Sequence, residues 1–584
     1  MGGWLLASAC GGSSDDASSA PSRGGFDAAN GGSAASPVGT ITGAPGATPA
    51  TPGASATAGA GGRAAAPVVD LPPEVETTVD LQLPQASENY VYTVNPDAGT
   101  VAIIDARTQV IRTVKTGTRP TYLRTLTGTD DAIVLNLGSN KASVIRMRDD
   151  EPKKSDLPVT AGANAIAVAP DGRHAVVYFN SSFGSAQSGP GSYQDVAVLS
   201  LGADASADKA TSMTVGFRPR DVFFAADSSR AYVVNEDGVS VLDFAAVEKS
   251  GSGIAKLLTF RGDVDQKNLD VTITPDGRYA LARTEGEGVL HLLDLQDGSV
   301  NPLVLASAYK PLPPSGSGAP APAPNDTDAG MPDAPPVIAT DLDLMPSGRA
   351  ALAVLRNQSA VLLIPLPDAF LDPNKVQTLH LGQEVIGSVT VAPDGRSALA
   401  YTTAANLERV TLLDLAGNDR PRTVLLRKAV QAVTYTPDSQ TALITHTKLP
   451  GAKEQPGISP DEVIDRSYGY SLLRIGSADV KLQVTQTRLG PIAMVPDGSY
   501  MFILFRDDAA RIKEVQRVAQ VSFLVDPTIQ LENPPISLGV AKASGTVFVN
   551  LEHPDGRMTF IDWNEPIEKL KTVTGFELNS RIRN

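Results

Sequence analysis

Histidine is the side chain that most often binds zinc or transfers a proton near neutral pH, and this chain of 584 residues contains five of them. They are His174, His291, His380, His446 and His553. No pair has the spacing of an HExxH motif, and none lies beside a cysteine. The sequence therefore predicts isolated surface or core histidines, with no zinc, haem or other metal site and no bound cofactor.

Aspartate is the other candidate for chemistry, because it recurs in Pro-Asp-Gly tripeptides. The turn residues are Asp171, Gly172, Asp276, Gly277, Asp394, Gly395, Asp497 and Gly498. Aspartate bonds the backbone of its own turn and glycine tolerates positive φ, so a structural role explains both. A residue that every repeat needs belongs to the architecture, so we expect these positions to be structural.

Two further carboxylates, Asp326 and Asp328, have the spacing of a calcium-binding loop. Val337 stands at the twelfth position, where such a loop needs a glutamate, so no calcium site is predicted. The chain also has no Gly-x-Ser-x-Gly nucleophile elbow and no glycine-rich loop between a strand and a helix. No catalytic or cofactor-binding residue is predicted, and the balance favours a protein that is not an enzyme.

The Pro-Asp-Gly turns belong to a repeating unit that is clearest at residues 385–428. Alternating apolar and polar residues, or β-branched residues, predict four short strands in this unit. They cover Ser388–Ala392, Ala398–Thr402, Val410–Leu415 and Thr423–Leu426. A four-stranded meander of this kind has two apolar faces and must stack on copies of itself.

Copies of the unit recur from about residue 89 to the C-terminus. Their first turns lie 44 to 56 residues apart, except where insertions lengthen the interval to 71 or 59 residues. Four strands in a period of about 40–50 residues are typical of a β-propeller. The sequence therefore predicts an all-β fold, a β-propeller of four-stranded antiparallel blades with about ten blade-like repeats over residues 89–584.

Two tetrapeptides carry a family resemblance. Tyr92-Thr93-Val94-Asn95 and Tyr232-Val233-Val234-Asn235 resemble the YVTN repeat of bacterial and archaeal surface propellers. The resemblance covers about residues 89–584. Members of that family include surface-layer proteins, lactonase-like proteins and proteins of unknown role. The resemblance implies a propeller fold, and it makes a lactonase-like hydrolase acting at the channel mouth the alternative function.

Ten repeats exceed the usual four to eight blades. The ring is unusually large, or some repeats are incomplete, or the chain forms two propellers; complementary fragments at the two ends favour one closed ring. The segment 575–582 looks like the first strand of a repeat without a body, whereas the repeat at Tyr90–Val94 lacks a first strand. We therefore expect the C-terminal strand to complete the first blade, which would leave no exposed sheet edge.

Residues 1–10 resemble the end of a bacterial lipoprotein signal peptide. An apolar run and small residues precede Cys10, the single cysteine, and a Gly/Ser/Asp-rich segment follows it. The resemblance implies that Cys10 is lipidated and that the protein is anchored to a membrane in the bacterial cell envelope, on the extracytoplasmic side. Residues 11–75, rich in Gly, Ala, Ser and Pro, are expected to form a disordered tether.

Charge and insertions bear on the partner. The formal net charge of −15 and the absence of a basic run argue against nucleic acid. Propellers bind at the rim or the central channel, so insertions mark the places to look. They are Ser181–Ser192, Pro311–Pro336, which is expected to be disordered, and Pro450–Arg466. The sequence predicts a non-catalytic binding or scaffold protein with a protein or glycan partner at one face of the propeller.

Overall fold

The fold is known from a computed structural model. It describes residues 86–181, 192–260, 269–312, 336–382, 384–417, 419–451, 456–506, 511–567 and 569–576. The predicted signal peptide with Cys10, the predicted tether and most of the 311–336 insertion lie outside these ranges.

In the described ranges, forty β-strands form ten small sheets, and each sheet is one blade of a propeller. Blade one contains β1 (Tyr90–Asn95), β2 (Thr100–Asp105) and β3 (Ile111–Lys115). Blade two contains β4 (Pro120–Thr125), β5 (Asp131–Asn136), β6 (Lys141–Arg148) and β7 (Glu151–Pro158). Blade three contains β8 (Ala165–Val168), β9 (His174–Tyr178), β10 (Asp195–Ser200) and β11 (Lys209–Thr214). Blade four contains β12 (Asp221–Phe224), β13 (Arg230–Asn235), β14 (Gly238–Asp243) and β16 (Lys256–Leu258).

The next three blades follow the same plan. Blade five contains β17 (Leu269–Ile273), β18 (Tyr279–Thr284), β19 (Val289–Asp294) and β20 (Val300–Val304). Blade six contains β21 (Asp341–Leu344), β22 (Ala350–Leu355), β23 (Ala360–Pro365) and β24 (Gln377–His380). Blade seven contains β25 (Ser388–Val391), β26 (Ser397–Tyr401), β27 (Arg409–Asp414) and β28 (Arg422–Leu425).

Three more blades complete the set. Blade eight contains β29 (Val430–Tyr435), β30 (Thr441–His446), β31 (Tyr468–Arg474) and β32 (Val480–Thr485). Blade nine contains β33 (Arg488–Met494), β34 (Tyr500–Arg506), β35 (Glu514–Ala519) and β36 (Ile529–Gln530). Blade ten contains β37 (Pro535–Ala541), β38 (Thr546–Leu551), β39 (Arg557–Asp562) and β40 (Lys571–Thr574).

Helices are few and short. They are α1 (Phe244–Ser250), α2 (Leu305–Ala308), α3 (Asp368–Leu371) and α4 (Pro460–Asp465). Within the described ranges, no helix has the length and apolar character needed to cross a membrane.

Within each blade, the strands are antiparallel and cross the sheet in chain order. The first strands of neighbouring blades lie against each other, as β21 and β25 do, so the first strand is the innermost. One extra strand breaks the regular plan. β15 (Ser252–Ile254), between α1 and β16 of blade four, pairs in parallel with β11 and gives blade three a fifth strand.

Both faces of a blade are apolar and buried, which explains why the blades stack. In β22, Ala351 and Ala353 pack towards blade five, whereas Leu352 and Val354, which alternate with them, pack towards blade seven. The described residues form ten such apolar clusters, and each joins two consecutive blades. A strand in this environment is buried on both sides, and its sequence therefore contains runs of apolar residues.

The tenth cluster closes the ring. Phe548, Phe560 and Phe576 of the last blade pack with Val91 and Ile104 of blade one. A backbone hydrogen bond from Ala543 N to Glu88 O, 2.9 Å long, joins the same two blades. The chain is therefore one ten-bladed propeller, which confirms the predicted fold class and excludes two separate rings.

Blade one is the exception to the four-stranded plan, with three strands in the described ranges. Ala86 pairs with Val91 through a single β-bridge, so the chain just before β1 turns back along its inner side. Phe576 is the last described residue, and the predicted strand at 575–582 lies almost entirely outside the described ranges. Completion of blade one by the C-terminus therefore stays a prediction.

Four of the five Pro-Asp-Gly turns join the first and second strands of their blades, and the fifth, at Asp555, joins β38 to β39, the second and third strands of blade ten. In the turns at Asp171, Asp276, Asp394 and Asp497, Oδ1 accepts a hydrogen bond of 2.9–3.0 Å from the backbone N–H two residues later. The glycine that follows each aspartate has φ between 66° and 72°, a conformation that a side chain disfavours. This geometry accounts for both residue types without any chemical role.

Candidate functional site

The alternating strand direction divides the connections of the ring into two sets. Connections from first to second and from third to fourth strands lie on one face, here called the turn face. Connections from second to third strands, and from each fourth strand to the next blade, lie on the opposite face, here called the insertion face. Each of blades two to ten begins again at the same face, because the chain crosses it in four consecutive strands, and β15 belongs to a connection of blade four.

All three insertions predicted from the sequence open on the insertion face. The segment 181–192 joins β9 to β10, the segment 311–336 lies between β20 and β21, and the segment 450–466 joins β30 to β31. The first and third are second-to-third connections, and the other leads into a new blade. Most of the first two insertions lies outside the described residues, but the flanking strands fix the face at which they begin and end.

An exposed aromatic cluster occupies this face between blades three and four. Tyr193 and Phe217 are 36% and 40% exposed, and their ring centroids are 6.0 Å apart. The buried ring of Phe179 supports Tyr193 edge-on at 5.6 Å. The guanidinium carbon of Arg218 lies 5.7 Å from the centroid of Tyr193 and 5.2 Å from that of Phe217. We call Phe179, Tyr193, Phe217 and Arg218 the aromatic cluster.

Three hydrogen bonds hold the aromatic cluster in place. Arg218 N donates to Tyr193 O at 2.7 Å, and Arg218 has φ 52°, in the left-handed region. Its Nη1 donates to Glu236 Oε1 at 3.1 Å, and Phe217 N donates to Asp237 Oδ1 at 2.9 Å. The two exposed rings are thus fixed by backbone bonds and bordered by carboxylates, an arrangement suited to binding rather than to proton transfer.

A group of three aspartates lies at the insertion-face end of three consecutive inner strands. Asp221, Asp270 and Asp341 occupy the same place in blades four, five and six, six residues before the second position of the first turn. Arg283 Nε donates to Asp270 Oδ2 at 3.2 Å, and its Nη1 donates to Thr340 O at 3.0 Å. Arg283 therefore links blade five to blade six.

Burial dominates the electrostatics of these carboxylates. It raises the pKa of Asp270, although the positive charge of Arg283 opposes the change. Burial also raises the pKa of Asp341 to about 6, against the effect of a hydrogen bond from Val389 N. A perturbed pKa is typical of catalytic groups, but ion-pair and hydrogen-bond networks in the interior also produce one.

The hydrogen bonds of blade six favour a structural role. Asp341 accepts from Val389 N and from Leu342 N, both at 2.7 Å, and Asp343 accepts from Val391 N at 2.8 Å. Val389 and Val391 lie on β25, and these N–H groups point away from its partner strand β26. The carboxylates therefore satisfy backbone donors at the channel-side edge of blade seven.

Helix α4, in the insertion of blade eight, is attached to the ring by a buried lysine. Lys428 Nζ donates to Ile464 O and Asp465 O, both at 2.9 Å, and burial lowers the pKa of its ammonium group. A cation at the C-terminal carbonyls of a helix is favourable. His446 lies nearby, between Ala429 O and Ser471 Oγ, and burial lowers its pKa to about 4.

The five histidines do not come together. His174 stacks on Phe244 with centroids 4.2 Å apart, His380 contacts Tyr309, and His553 Nδ1 accepts from Asp555 N. His291 and His446 are buried in different blades. Within the described ranges, no group of histidine, cysteine or carboxylate side chains could hold a metal ion. Asp326 and Asp328 lie outside those ranges.

Sequence analysis identified the insertions but missed the aromatic cluster. Phe179, Tyr193 and Phe217 lie on two different connections, and only the fold brings them together. The group of three aspartates could have been predicted from the sequence, because aligning the repeats on their first turns places Asp221, Asp270 and Asp341 in one column.

The raised pKa of Asp341 predicts a specific dependence of stability on pH. Because its pKa is raised in the folded state, ionisation between about pH 4 and pH 6 destabilises the fold. Asp341→Asn cannot ionise. Relative to the wild type, we therefore expect its free energy of unfolding to increase by about 2 kcal/mol from pH 4 to pH 7, measured by urea denaturation.

Asp227→Asn is the matched control, because this exposed turn carboxylate has a lowered pKa. Its stabilising contribution is lost only as the pH falls below the ordinary value, so its difference from the wild type stays constant between pH 5 and pH 7. Parallel stability curves for the wild type and Asp341→Asn would contradict the assignment.

Comparison with known proteins shows similarity of fold alone. No family model and no curated protein sequence matches the chain. Among solved structures, the dihydro-heme d1 dehydrogenase NirN is 13% identical, with a TM-score of 0.40, covering 71% of this chain and 76% of that one. Hydrazine synthase from Kuenenia stuttgartiensis is 14% identical, with a TM-score of 0.32, covering 61% and 95%. The Cps50 (Swd1) β-propeller domain from Myceliophteria thermophila is 13% identical, with a TM-score of 0.30, covering 59% and 96%.

Proposed function

We propose that the protein is a non-catalytic binding propeller that holds a protein partner on its insertion face. The observation that carries the proposal is the aromatic cluster, which lies on the face where all three insertions begin and end. Aromatic residues and arginine are enriched at the centres of protein interfaces, where a few side chains supply most of the binding energy. Tyr193, Phe217 and Arg218 have that composition.

The geometry of the cluster supports tight association. Fixed side chains lose little conformational entropy on binding, so more of the contact energy contributes to affinity. Tyr193 and Phe217 are fixed by the Phe179 ring and by backbone hydrogen bonds. Glu236 and Asp237 supply polar groups at the border of the cluster, as the rim of a protein interface does.

Truncation of the two exposed rings tests this proposal. We expect Tyr193→Ala combined with Phe217→Ala to weaken capture of the partner at least about tenfold, because each ring is an anchor of the interface. The measurement is a crosslinking pull-down from native membranes, followed by titration of the purified partner.

Leu371→Ala is the control, because it truncates an exposed side chain in helix α3, which packs on blade five, away from the aromatic cluster. Equal capture by the double variant and the control would contradict the proposal. If the double variant loses binding to a polysaccharide but captures protein as the wild type does, the ligand of the aromatic cluster is a glycan instead.

We infer further that the propeller is held at a membrane in the cell envelope by lipidated Cys10 and the tether of residues 11–75. The support is the sequence around Cys10 and the composition of the following segment. A lipid-anchored protein on the extracytoplasmic side would present its binding face to other envelope proteins.

Cys10→Ser removes the thiol that would carry the lipid. We expect this variant to leave the membrane fraction and appear in the soluble fraction of the cell envelope, because one lipidated residue supplies most of the attachment. Fractionation of wild-type and variant cells, followed by immunoblotting, measures the change. The same distribution for both proteins would exclude lipid anchoring.

Hydrolysis of a lactone-like ester is the second candidate, and one observation favours it. Asp270 and Asp341 have raised pKa values at the end of the inner strands, where a general acid or base would stand. It ranks second because Arg283 and backbone N–H groups already bond both carboxylates. A hydrolysis screen with the Asp270→Asn variant as reference separates the two functions.

A further inference from the structure

A cavity of about 320 Å³ opens on the insertion face of blade seven. Its wall comes from the connection between β26 and β27 and from the chain that leaves β28 for blade eight. Pockets that bind small molecules begin at roughly this volume. The lining residues are Asn406, Leu407, Glu408, Arg409, Leu425 and Arg427. We call this space the blade-seven cavity.

Two arginines give the blade-seven cavity its hydrogen-bond donors. Arg427 is exposed and makes no hydrogen bond or ion pair with any residue that the structure describes. Glu384 Oε2 accepts from Arg409 Nε at 2.5 Å, whereas Nη1 and Nη2 of Arg409 donate to no described residue. Glu384 Oε1 also accepts from Thr423 Oγ1 at 3.0 Å, which fixes the carboxylate and, through it, the guanidinium of Arg409.

Glu408, the single carboxylate among the described lining residues, is directed away from Arg409. It directly precedes β27, and successive side chains along a strand point to opposite sides of the sheet. Burial lowers the pKa of Lys428, and the negative charge of Glu408 is one of those that oppose this change. Lys428 therefore matches the charge of Glu408, and Glu384 matches that of Arg409. Among the described residues, the guanidinium of Arg427 is left as the uncompensated charge of the cavity.

Leucine side chains supply the apolar part of the cavity. Leu425 ends β28, is 71% exposed and lies directly opposite Arg409 on β27. Leu407, which is half-buried, precedes Arg409 by two residues and therefore lies on the same side of the sheet. The cavity thus combines guanidinium groups with an aliphatic surface, which suits a ligand that has a negative group next to an apolar one.

The wall of the cavity is held in place before any ligand binds. Leu426 N donates to Glu408 O at 2.7 Å, which joins the two chain segments that form the wall. Lys428, next to Arg427, attaches the same turn to the last residues of α4 through two hydrogen bonds of 2.9 Å. Because the backbone is already ordered, little conformational entropy is lost when a ligand enters.

We propose that the blade-seven cavity binds a carboxylate carried on an apolar group, with Arg427 and Arg409 at the carboxylate and Leu425 against the apolar group. A guanidinium donates paired N–H groups to a carboxylate, and burial of an apolar group against leucine adds hydrophobic free energy. The single uncompensated charge of the cavity matches a carboxylate better than a phosphate monoester, which carries nearly two negative charges.

Two kinds of molecule carry this chemistry: a small branched-chain or aromatic carboxylic acid, and the last residue of a polypeptide chain. The proposal goes beyond the partner site at the aromatic cluster, because it concerns a separate cavity three blades away with its own ligand chemistry. It does not depend on what the aromatic cluster binds.

Isothermal titration calorimetry of the full chain with N-acetylleucine tests the proposal. We expect N-acetylleucine to bind and its amide, which has no charge, to bind at least about tenfold more weakly. Arg427→Gln should weaken binding of N-acetylleucine about tenfold, and Arg427→Lys, which keeps the charge, should weaken it less. Arg422→Gln is the matched control, because it changes an exposed arginine at the opposite end of β28, and it should bind as the wild type does.

A ten-residue peptide that ends in leucine separates the two sources of the carboxylate. Tighter binding of this peptide than of N-acetylleucine, abolished by amidation of its C-terminus, assigns the cavity to a polypeptide end. Binding no tighter than that of N-acetylleucine assigns it to a small acid.

Three results would overturn the proposal: no binding of either acid, equal affinity for the acid and its amide, or unchanged binding by Arg427→Gln. Thermal unfolding of each variant checks that the fold is intact. The double variant of Tyr193 and Phe217 should bind N-acetylleucine as the wild type does, so failure of one proposal is distinguishable from failure of the other.

Discussion

Burial of both faces of every blade is the constraint on which this structure depends. A four-stranded sheet with alanine, valine and leucine on both sides cannot exist alone in water, because each face must pack against another apolar surface. The apolar clusters between consecutive blades satisfy that need, and the cluster between blades ten and one satisfies it for the last pair. An open row of blades would leave two such faces in water, so closure follows from the pattern of residues within each blade.

This constraint leaves the connections free to differ. The turn face carries the Pro-Asp-Gly geometry of blades three, five, seven and nine, which serves the fold. The insertion face carries the long segments, helix α4 and the aromatic cluster, none of which recurs in every blade. Evolution of a binding surface on one face requires no change in the packing between blades, and the proposed partner site is placed accordingly.

The sequence predicted the blades well because their signals are local. Alternation within strands and one turn motif in each repeat identified the strands, the period and the all-β class. The number of blades in one ring depended on contacts between residues that lie more than 400 positions apart, such as Val91 and Phe560. The fifth strand of blade three and the aromatic cluster also required the fold, since β15 and Phe217 join residues on other connections. The exposure of Val521 and Leu524, on the connection between β35 and β36, had no signal in the pattern of single residues, because the burial of Phe523 between them depends on blade eight.

The central claim is that the insertion face holds a protein partner at the aromatic cluster. Site-specific photo-crosslinking in the native host tests it most directly, with a photoreactive phenylalanine analogue placed at Phe217 in one strain and at the exposed Leu524, on the turn face, in another. The account predicts one defined protein adduct from position 217 and no adduct with that protein from position 524. The same protein adduct from both positions, or from position 524 alone, would contradict the claim.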